Sequence, residues 1–188
     1  MSSCATRGEI RAQGAFSLSE EPLRNGCVPG MSVAQNMALR NFDQAPLAAG
    51  PWLRRRAMRE QALRLIADFK VTAQGPEAPM TTLSGGNVQR AVLARELSGR
   101  VAVLIAANPV FGLDFAAVAE IHDRLLAARN AGAAVLLVSE DLDELLDLSD
   151  RIAVMFGGRI VHETPAAAAD VDVIGAAMAG HQVAGTVR

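Results

Sequence analysis

The sequence predicts an α/β fold in which a helical segment leads into a parallel sheet. Two continuous apolar runs, Val101–Ala107 and Ala134–Ser139, are typical of strands buried on both faces of such a sheet. A helix predicted over Ala116–Asn130 separates them, and this strand–helix–strand order favours an α/β layer. We therefore expect a helical subdomain at about residues 31–97 and an α/β core at about 98–188.

Residues 31–97 are predicted to contain helices only. Residues 1–15 are small, polar and glycine-containing, which indicates a poorly ordered lead-in to a domain over residues 16–188. Ser32 and Gln35 match a capping box, and later apolar residues repeat every three or four positions. The predicted helices of residues 31–97 are Val33–Arg40, Leu53–Phe69 and Asn87–Leu97.

The C-terminal part is predicted to add small elements to the core. Gly157 and Gly158 join two apolar runs, a pattern typical of a β-hairpin. The predicted helix before the hairpin begins with acidic residues, whose negative charges interact favourably with the positive end of the helix dipole. The predicted elements are a helix at Asp141–Leu148, strands at Arg151–Phe156 and Arg159–His162, and a helix at Val171–Met178.

Composition excludes several classes of protein. The chain has 188 residues with 51% hydrophobic content, so we expect a globular domain with a real core. The net charge of −2 gives no reason to expect nucleic-acid binding, and the apolar run of the first predicted strand is too short to cross a membrane. Cys4 and Cys27 form no CxxC pair, which fits reduced cysteines in the cytoplasm. The acidic run near residue 144 lacks EF-hand spacing, so no metal site is predicted.

The segment Leu83–Arg90, Leu-Ser-Gly-Gly-Asn-Val-Gln-Arg, carries the strongest functional signal. Ser84, Gly85 and Gly86 precede a predicted helix, which brings a hydroxyl, backbone N–H groups and the positive end of a helix dipole together. That combination is the chemistry of a phosphate site. The alternative is an ordinary capped helix start after a Gly-Gly turn.

A phosphate-binding loop of the P-loop type is absent from the sequence. That loop needs the pattern G-x-x-x-x-G-K-[ST], because its lysine reaches the β and γ phosphates. Lys70 is the only lysine of the chain, and no glycine-rich loop precedes it.

The octapeptide Leu83–Arg90 resembles the signature motif of ABC-type ATPases, and the resemblance extends from about Ser17 to Val161. The combined motifs are most similar to the C-terminal part of the second ABC domain in simple-sugar and nucleoside importer ATPases. The resemblance implies a partial P-loop NTPase-like domain that lacks its N-terminal P-loop part. The matching segments are Pro29–Asn36, Leu83–Arg90, Pro109 with Gly112–Asp114, Ser139–Glu144 and Asp150–Ile160.

The resemblance implies a role at an ATP site shared between two domains. In ABC dimers the signature of one domain closes on ATP, with its Mg²⁺, held mainly by the P-loop of the other. Asp114 matches the aspartate that lines the dimer seam. The residues implied as nucleotide contacts are Ser84, Gly85, Gly86, Asn87, Gln89 and Asp114.

Three positions of the family's ATP site carry the wrong chemistry in this sequence. Ala107 and Asn108 stand where the family's Walker B motif has Asp-Glu, so the Mg²⁺ ligand and the carboxylate that polarises water are missing. Glu140 stands at the switch histidine, where an anion near a phosphate is unfavourable. A general base contributes about 10²–10⁴ in rate, so we expect the chain alone to be inactive.

The resemblance implies two partners and a location. The partners are another ABC domain and a membrane permease, and the location is the cytoplasm, peripheral on the inner face of the plasma membrane. One alternative is a catalytically inactive regulatory or scaffolding subunit. The other is a truncated gene product without function, which the missing P-loop suggests; its uncovered strand faces predict low solubility or obligate association.

A basic cluster opens the second predicted helix. Arg54, Arg55, Arg56 and Arg59 suit either anionic lipid or a partner domain. The alternative is a solvated helix start, although cations there oppose the helix dipole.

Overall fold

The computed structural model describes residues 6–181. They form two compact units, one ending at Val138 and the other beginning at Ser139. The predicted boundary near residue 98 does not coincide with this division. The reason is that helix α4, Gly85–Glu96, contacts strand β1 of the sheet as well as the other helices, so the helical segment and the sheet form one unit.

The first unit contains five α-helices and five strands within its described residues. Among the helices of residues 6–181, none is long and apolar enough to cross a membrane. The helices are α1 (Arg7–Ala12), α2 (Val33–Ala38), α3 (Arg55–Asp68), α4 (Gly85–Glu96) and α5 (Phe115–Asn130), and the strands are β1 (Ala15–Leu18), β2 (Ala48–Ala49), β3 (Trp52–Leu53), β4 (Val103–Ala107) and β5 (Ala134–Val138).

Residues 6–15, which belong to the predicted lead-in, contain a capped helix and the first residue of a strand. Thr6 caps helix α1 through a capping box: its hydroxyl accepts from the Glu9 N–H at 3.3 Å, and the Glu9 carboxylate accepts from the Thr6 N–H at 2.6 Å. Strand β1 then pairs in parallel with β4. Capping and strand pairing satisfy backbone groups that a disordered segment would leave to water. For residues 1–5 the prediction lies outside the described residues.

Strands β1, β4 and β5 form a parallel sheet with β4 in the centre. The register places Phe16 beside Leu104 and Leu18 beside Ala106. Leu104 and Ala106 are fully buried, and Leu18 is almost so. Helix α4 packs against β1 and helix α5 contacts β5. The predicted α/β class and the parallel sheet are therefore confirmed.

The opposite face of this sheet is open and apolar. The side chains of Val103 and Ile105 in β4 are 38% and 42% exposed, and those of Leu136 and Val138 in β5 are 57% and 51% exposed. Successive side chains of a strand point to opposite faces, so these four share one face. The prediction that both strands are buried on both faces is wrong, because no described element of the first unit covers this side.

Buried polar contacts join helices α2 and α4. The carboxylate of Glu96 has no exposed side-chain surface, and it pairs with Arg40 of the segment after α2 at 2.6 Å and with Arg95 at 2.7 Å. Arg95 also donates to the Gly26 carbonyl at 2.7 Å. A buried carboxylate is tolerated only when it is paired in this way, so these contacts fix the direction in which α4 runs.

The second unit is a hairpin covered by helices. Its core consists of Ile152 and Val154 from the hairpin with Ile174 and Ala177 from the last helix. A hairpin and a last helix lie where the sequence predicts them. The elements are α6 (Leu142–Leu148), β6 (Arg151–Phe156), β7 (Arg159–Pro165) and α7 (Val171–Met178).

Candidate functional site

The site begins at the N-terminus of helix α4, which starts two residues earlier than predicted. Ser84 is the N-cap residue, and Gly85 and Gly86 form the first turn of the helix. The Ser84 side chain makes no capping hydrogen bond. The first N–H groups of a helix have no partner within the helix, so this end presents donors and the positive end of the dipole.

The Ser84 hydroxyl is oriented by a neighbouring amide. The Asn87 side chain donates from Nδ2 to Ser84 Oγ at 2.8 Å, and its Oδ1 accepts from the Thr72 N–H at 2.6 Å. Because Oγ accepts from Asn87, the hydroxyl proton remains available to a second group. Ser84 is exposed, so that group can come from outside the chain. The structure thus places Asn87 as the residue that positions Ser84.

The two glycines of the first turn face different surroundings. A Cβ on Gly86 would stand 3.5 Å from Leu113 Cδ2 and 3.9 Å from Ala117 Cβ, so Gly86 lies against the start of helix α5. A Cβ on Gly85 would meet nothing within 4 Å. The packing of the chain therefore does not require a glycine at residue 85, whereas close approach of a ligand to the backbone would.

Asp114 lies at the turn that Gly86 contacts. Its Oδ1 accepts from the Ala117 N–H at 2.9 Å and caps helix α5. Asp114 itself is exposed, and the adjacent Phe111 and Phe115 are 72% and 95% exposed. The structure thus brings Asp114 next to the start of α4 on one exposed surface.

Gln89 does not share that surface. Its side chain is 4% exposed, and Nε2 donates to the Pro109 carbonyl at 2.7 Å. One turn of helix separates Gln89 from the exposed end, so its amide faces the chain's own interior. Gln89 thus fixes α4 to the loop after β4, and its contact with nucleotide stays a prediction.

A charged cluster that no sequence motif predicts holds helix α4 against helix α5. Glu120 of α5 pairs with Arg90 of α4 at 3.2 Å and with Lys70 at 3.8 Å. The side chains of Arg90 and Glu120 are 18% and 16% exposed. The only sequence signal was a lone lysine, and nothing in the spacing related it to Glu120.

Two of the predicted catalytic positions stand at the end of β4, and the third belongs to the second unit. Ala107 ends β4, and Asn108 follows with φ of 41° while its N–H donates to the Val138 carbonyl at 2.7 Å. Asn tolerates this left-handed conformation better than most residues. Glu140 is exposed and belongs to the second unit. Neither Ala107 nor Asn108 supplies the carboxylate that Mg²⁺ prefers.

The donors at the start of α4 fit an anion. They are a hydroxyl and backbone N–H groups, with an unobstructed approach past Gly85. Within residues 6–181, no group of three or more His, Cys, Asp or Glu side chains is placed to hold a metal ion.

Comparison with curated proteins finds importer subunits over most of the chain. The nucleoside import ATP-binding protein NupA of Lactococcus lactis subsp. cremoris is 39% identical over 152 residues, or 81% of this chain and 30% of that protein. The guanosine import ATP-binding protein NupO of Bacillus subtilis is 34% identical over 93% of this chain and 34% of that protein. The chain thus spans about a third of the length of these relatives. No family model matches the chain.

Comparison with solved structures finds ATP-binding cassettes. A dimeric post-hydrolysis structure of the cassette MJ0796 bound to ADP and Pi matches with a TM-score of 0.69 at 18% identity. It covers 86% of this chain and 68% of the cassette. The ABC transporter protein cbiO1 from Clostridium perfringens matches with a TM-score of 0.63 at 20% identity, over 93% of this chain and 65% of that one. Over most of its length this chain is a homologue of the ABC ATP-binding proteins of sugar and nucleoside importers, and it has the fold of an ABC ATPase cassette.

Proposed function

We propose that this chain supplies the signature side of an ATP site whose P-loop belongs to a partner ABC domain, in a system that imports sugars or nucleosides. The proposal rests on one observation above all. The N-terminus of α4 is exposed, has no side-chain cap and is unobstructed at Gly85, while Asn87 orients the Ser84 hydroxyl.

These groups would act on the terminal phosphate of the partner's nucleotide. The Ser84 hydroxyl and the N–H groups of the first helical turn donate to phosphate oxygens. A hydrogen bond to a charged group contributes about 1.5–3 kcal/mol, and the helix dipole adds roughly 0.3–1 kcal/mol. Asp114 lies beside them, where its exposed turn is available to the partner domain.

The residues at the end of β4 support the proposal that ATP hydrolysis depends on a partner domain. ATP with Mg²⁺ needs carboxylate ligands and a group that polarises water, and Ala107 and Asn108 offer neither. We therefore assign Mg²⁺ binding and hydrolysis to the partner, and the role of this chain is to complete that site.

The wider assignment follows the relatives. Their names describe import of nucleosides, guanosine and ribose, which supports a permease as second partner and a peripheral place on the cytoplasmic face of the membrane. The dimeric cassette with ADP and Pi supports association with another ABC domain.

Nucleotide-dependent association tests the proposal. The probe is a P-loop-bearing cassette from a nucleoside or sugar importer, blocked in hydrolysis by a Glu→Gln substitution at its own catalytic glutamate. We expect this chain to bind MgATP alone with a Kd weaker than about 1 mM, and to co-elute with the cassette only when MgATP is present. Micromolar MgATP affinity of the isolated chain, or association that ignores nucleotide, would contradict the proposal.

A further inference from the structure

A second exposed surface lies at the start of helix α3, within the first unit. Residues 51–56 are all exposed and combine an aromatic and an aliphatic side chain with three arginines. Trp52 is 76% exposed and Leu53 is 53% exposed, although both are residues that normally lose water-accessible surface on folding. One and two turns into the helix, Arg59 and Leu63 are exposed as well. We call residues 51–56 with Arg59 and Leu63 the Trp–Arg patch.

The patch is held rigidly by the core beneath it. Strands β2 and β3 pair Ala49 with Trp52, and the Arg54 N–H donates to the Leu47 carbonyl at 2.7 Å. Leu47 is fully buried in a cluster with Ala38 and Met58 of α3. Trp52 is therefore presented at a fixed place beside the arginines, and its exposure is a property of the fold.

The patch carries an excess of positive charge. Arg56 pairs with Glu60 at 2.9 Å, and Arg59 lies 4.0 Å from Glu77. Arg54 and Arg55 have no ion-pair partner among residues 6–181. Two cations are thus uncompensated in a protein whose overall net charge is −2. The cluster also opposes the dipole at the start of α3, where Arg54 makes no side-chain cap.

We propose that the Trp–Arg patch binds the anionic headgroups of a phospholipid membrane. Trp is favoured at the boundary between headgroups and acyl chains, because its ring is apolar and its N–H is polar. Basic side chains within a Debye length of an anionic leaflet are attracted to it. The strength of binding to a membrane surface rises with the apolar area inserted and with the attraction to anionic lipid, and the patch offers both.

The inference rests on the proposed function only in placing the chain at a membrane. It uses no residue at the start of α4, and vesicle binding is measured without nucleotide and without a partner protein. Failure of vesicle binding and failure of nucleotide-dependent association are therefore separate results.

Trp52 is the only tryptophan of the chain, so its fluorescence reports on the patch directly. The full chain is titrated with vesicles of phosphatidylcholine alone and of phosphatidylcholine with phosphatidylglycerol. With the anionic vesicles we expect a blue shift of the emission, quenching by brominated acyl chains, and loss of both effects at high salt. With the neutral vesicles we expect no shift.

Two double variants distinguish binding by the Trp–Arg patch from attraction that depends only on the net charge of the protein. Arg54→Gln with Arg55→Gln should lower the partition coefficient onto anionic vesicles by about tenfold or more. Arg100→Gln with Arg159→Gln removes the same charge from exposed sites outside the patch and should change it far less. Equal binding to neutral vesicles would overturn the proposal, as would an unshifted Trp52 emission or equal loss in the two variants. Binding through the open sheet face, or docking to a protein only, would produce one of those outcomes.

Discussion

At the scale of single residues, Ser84 and Gly85 form the exposed start of α4 on which the proposed function depends. The sequence predicted both, because a hydroxyl and glycines before a helix carry their chemistry locally. Gln89 shows the limit of that reasoning. Its burial depends on the Pro109 carbonyl, which lies 20 residues away and reaches it only through the tertiary fold.

A Gly85→Ala substitution tests whether residue 85 must be glycine for ligand binding and not for folding. The new Cβ meets no atom of the chain within 4 Å, and alanine favours a helix over glycine by up to about 1 kcal/mol. We therefore expect an unchanged or slightly raised Tm by circular dichroism, together with loss of MgATP-dependent association with the partner cassette.

Gly175→Ala is the matched control for that experiment. Gly175 lies in helix α7, and a Cβ there also meets nothing within 4 Å. It should leave association intact. If Gly85→Ala associates as well as Gly175→Ala does, the backbone at residue 85 is not approached by ligand.

At the scale of elements, periodicity predicted most helices and strands near their observed bounds. The helix at Arg7–Ala12 was missed although its signal was present, since Thr6 and Glu9 match a capping box. The open face of β4 and β5 was not predictable from the runs themselves. A continuous apolar run is compatible with burial on either face, and which face is covered depends on what packs there.

The orientation of α4 on α5 is predicted to depend on Glu120. Replacing Glu120 by Gln removes the charge that pairs with Arg90 and Lys70 and leaves the largely buried Arg90 without its partner. We expect the free energy of unfolding to fall by about 1–3 kcal/mol in urea denaturation followed by circular dichroism.

Glu60→Gln serves as the control for this pair. Glu60 is 53% exposed and pairs with the exposed Arg56 one turn away, so its loss should cost less than about 0.5 kcal/mol. Equal effects of the two substitutions would show that the Glu120 cluster does not fix α4.

At the scale of the whole molecule, the chain combines a helix α4 with an exposed, uncapped start and residues at β4 that lack the carboxylates of the family's catalytic site. The sheet, the α4 helix and Asp114 belong to one unit, whereas Glu140 belongs to the other. The sequence predicted the family and the missing groups through short motifs. It did not predict the division after Val138, because that division depends on contacts between distant elements and not on local composition.

Restoration of ATP turnover in a defective partner cassette tests whether this chain completes the partner's ATP site. The partner is an importer cassette with an intact P-loop and catalytic glutamate, but with Arg in place of its own signature serine, so that its homodimer does not hydrolyse ATP. Adding this chain should restore phosphate release, because Ser84 and the first turn of α4 complete the partner's site. The Ser84→Arg chain should restore none. No restoration by the unaltered chain, or equal restoration by the Ser84→Arg chain, would contradict the account.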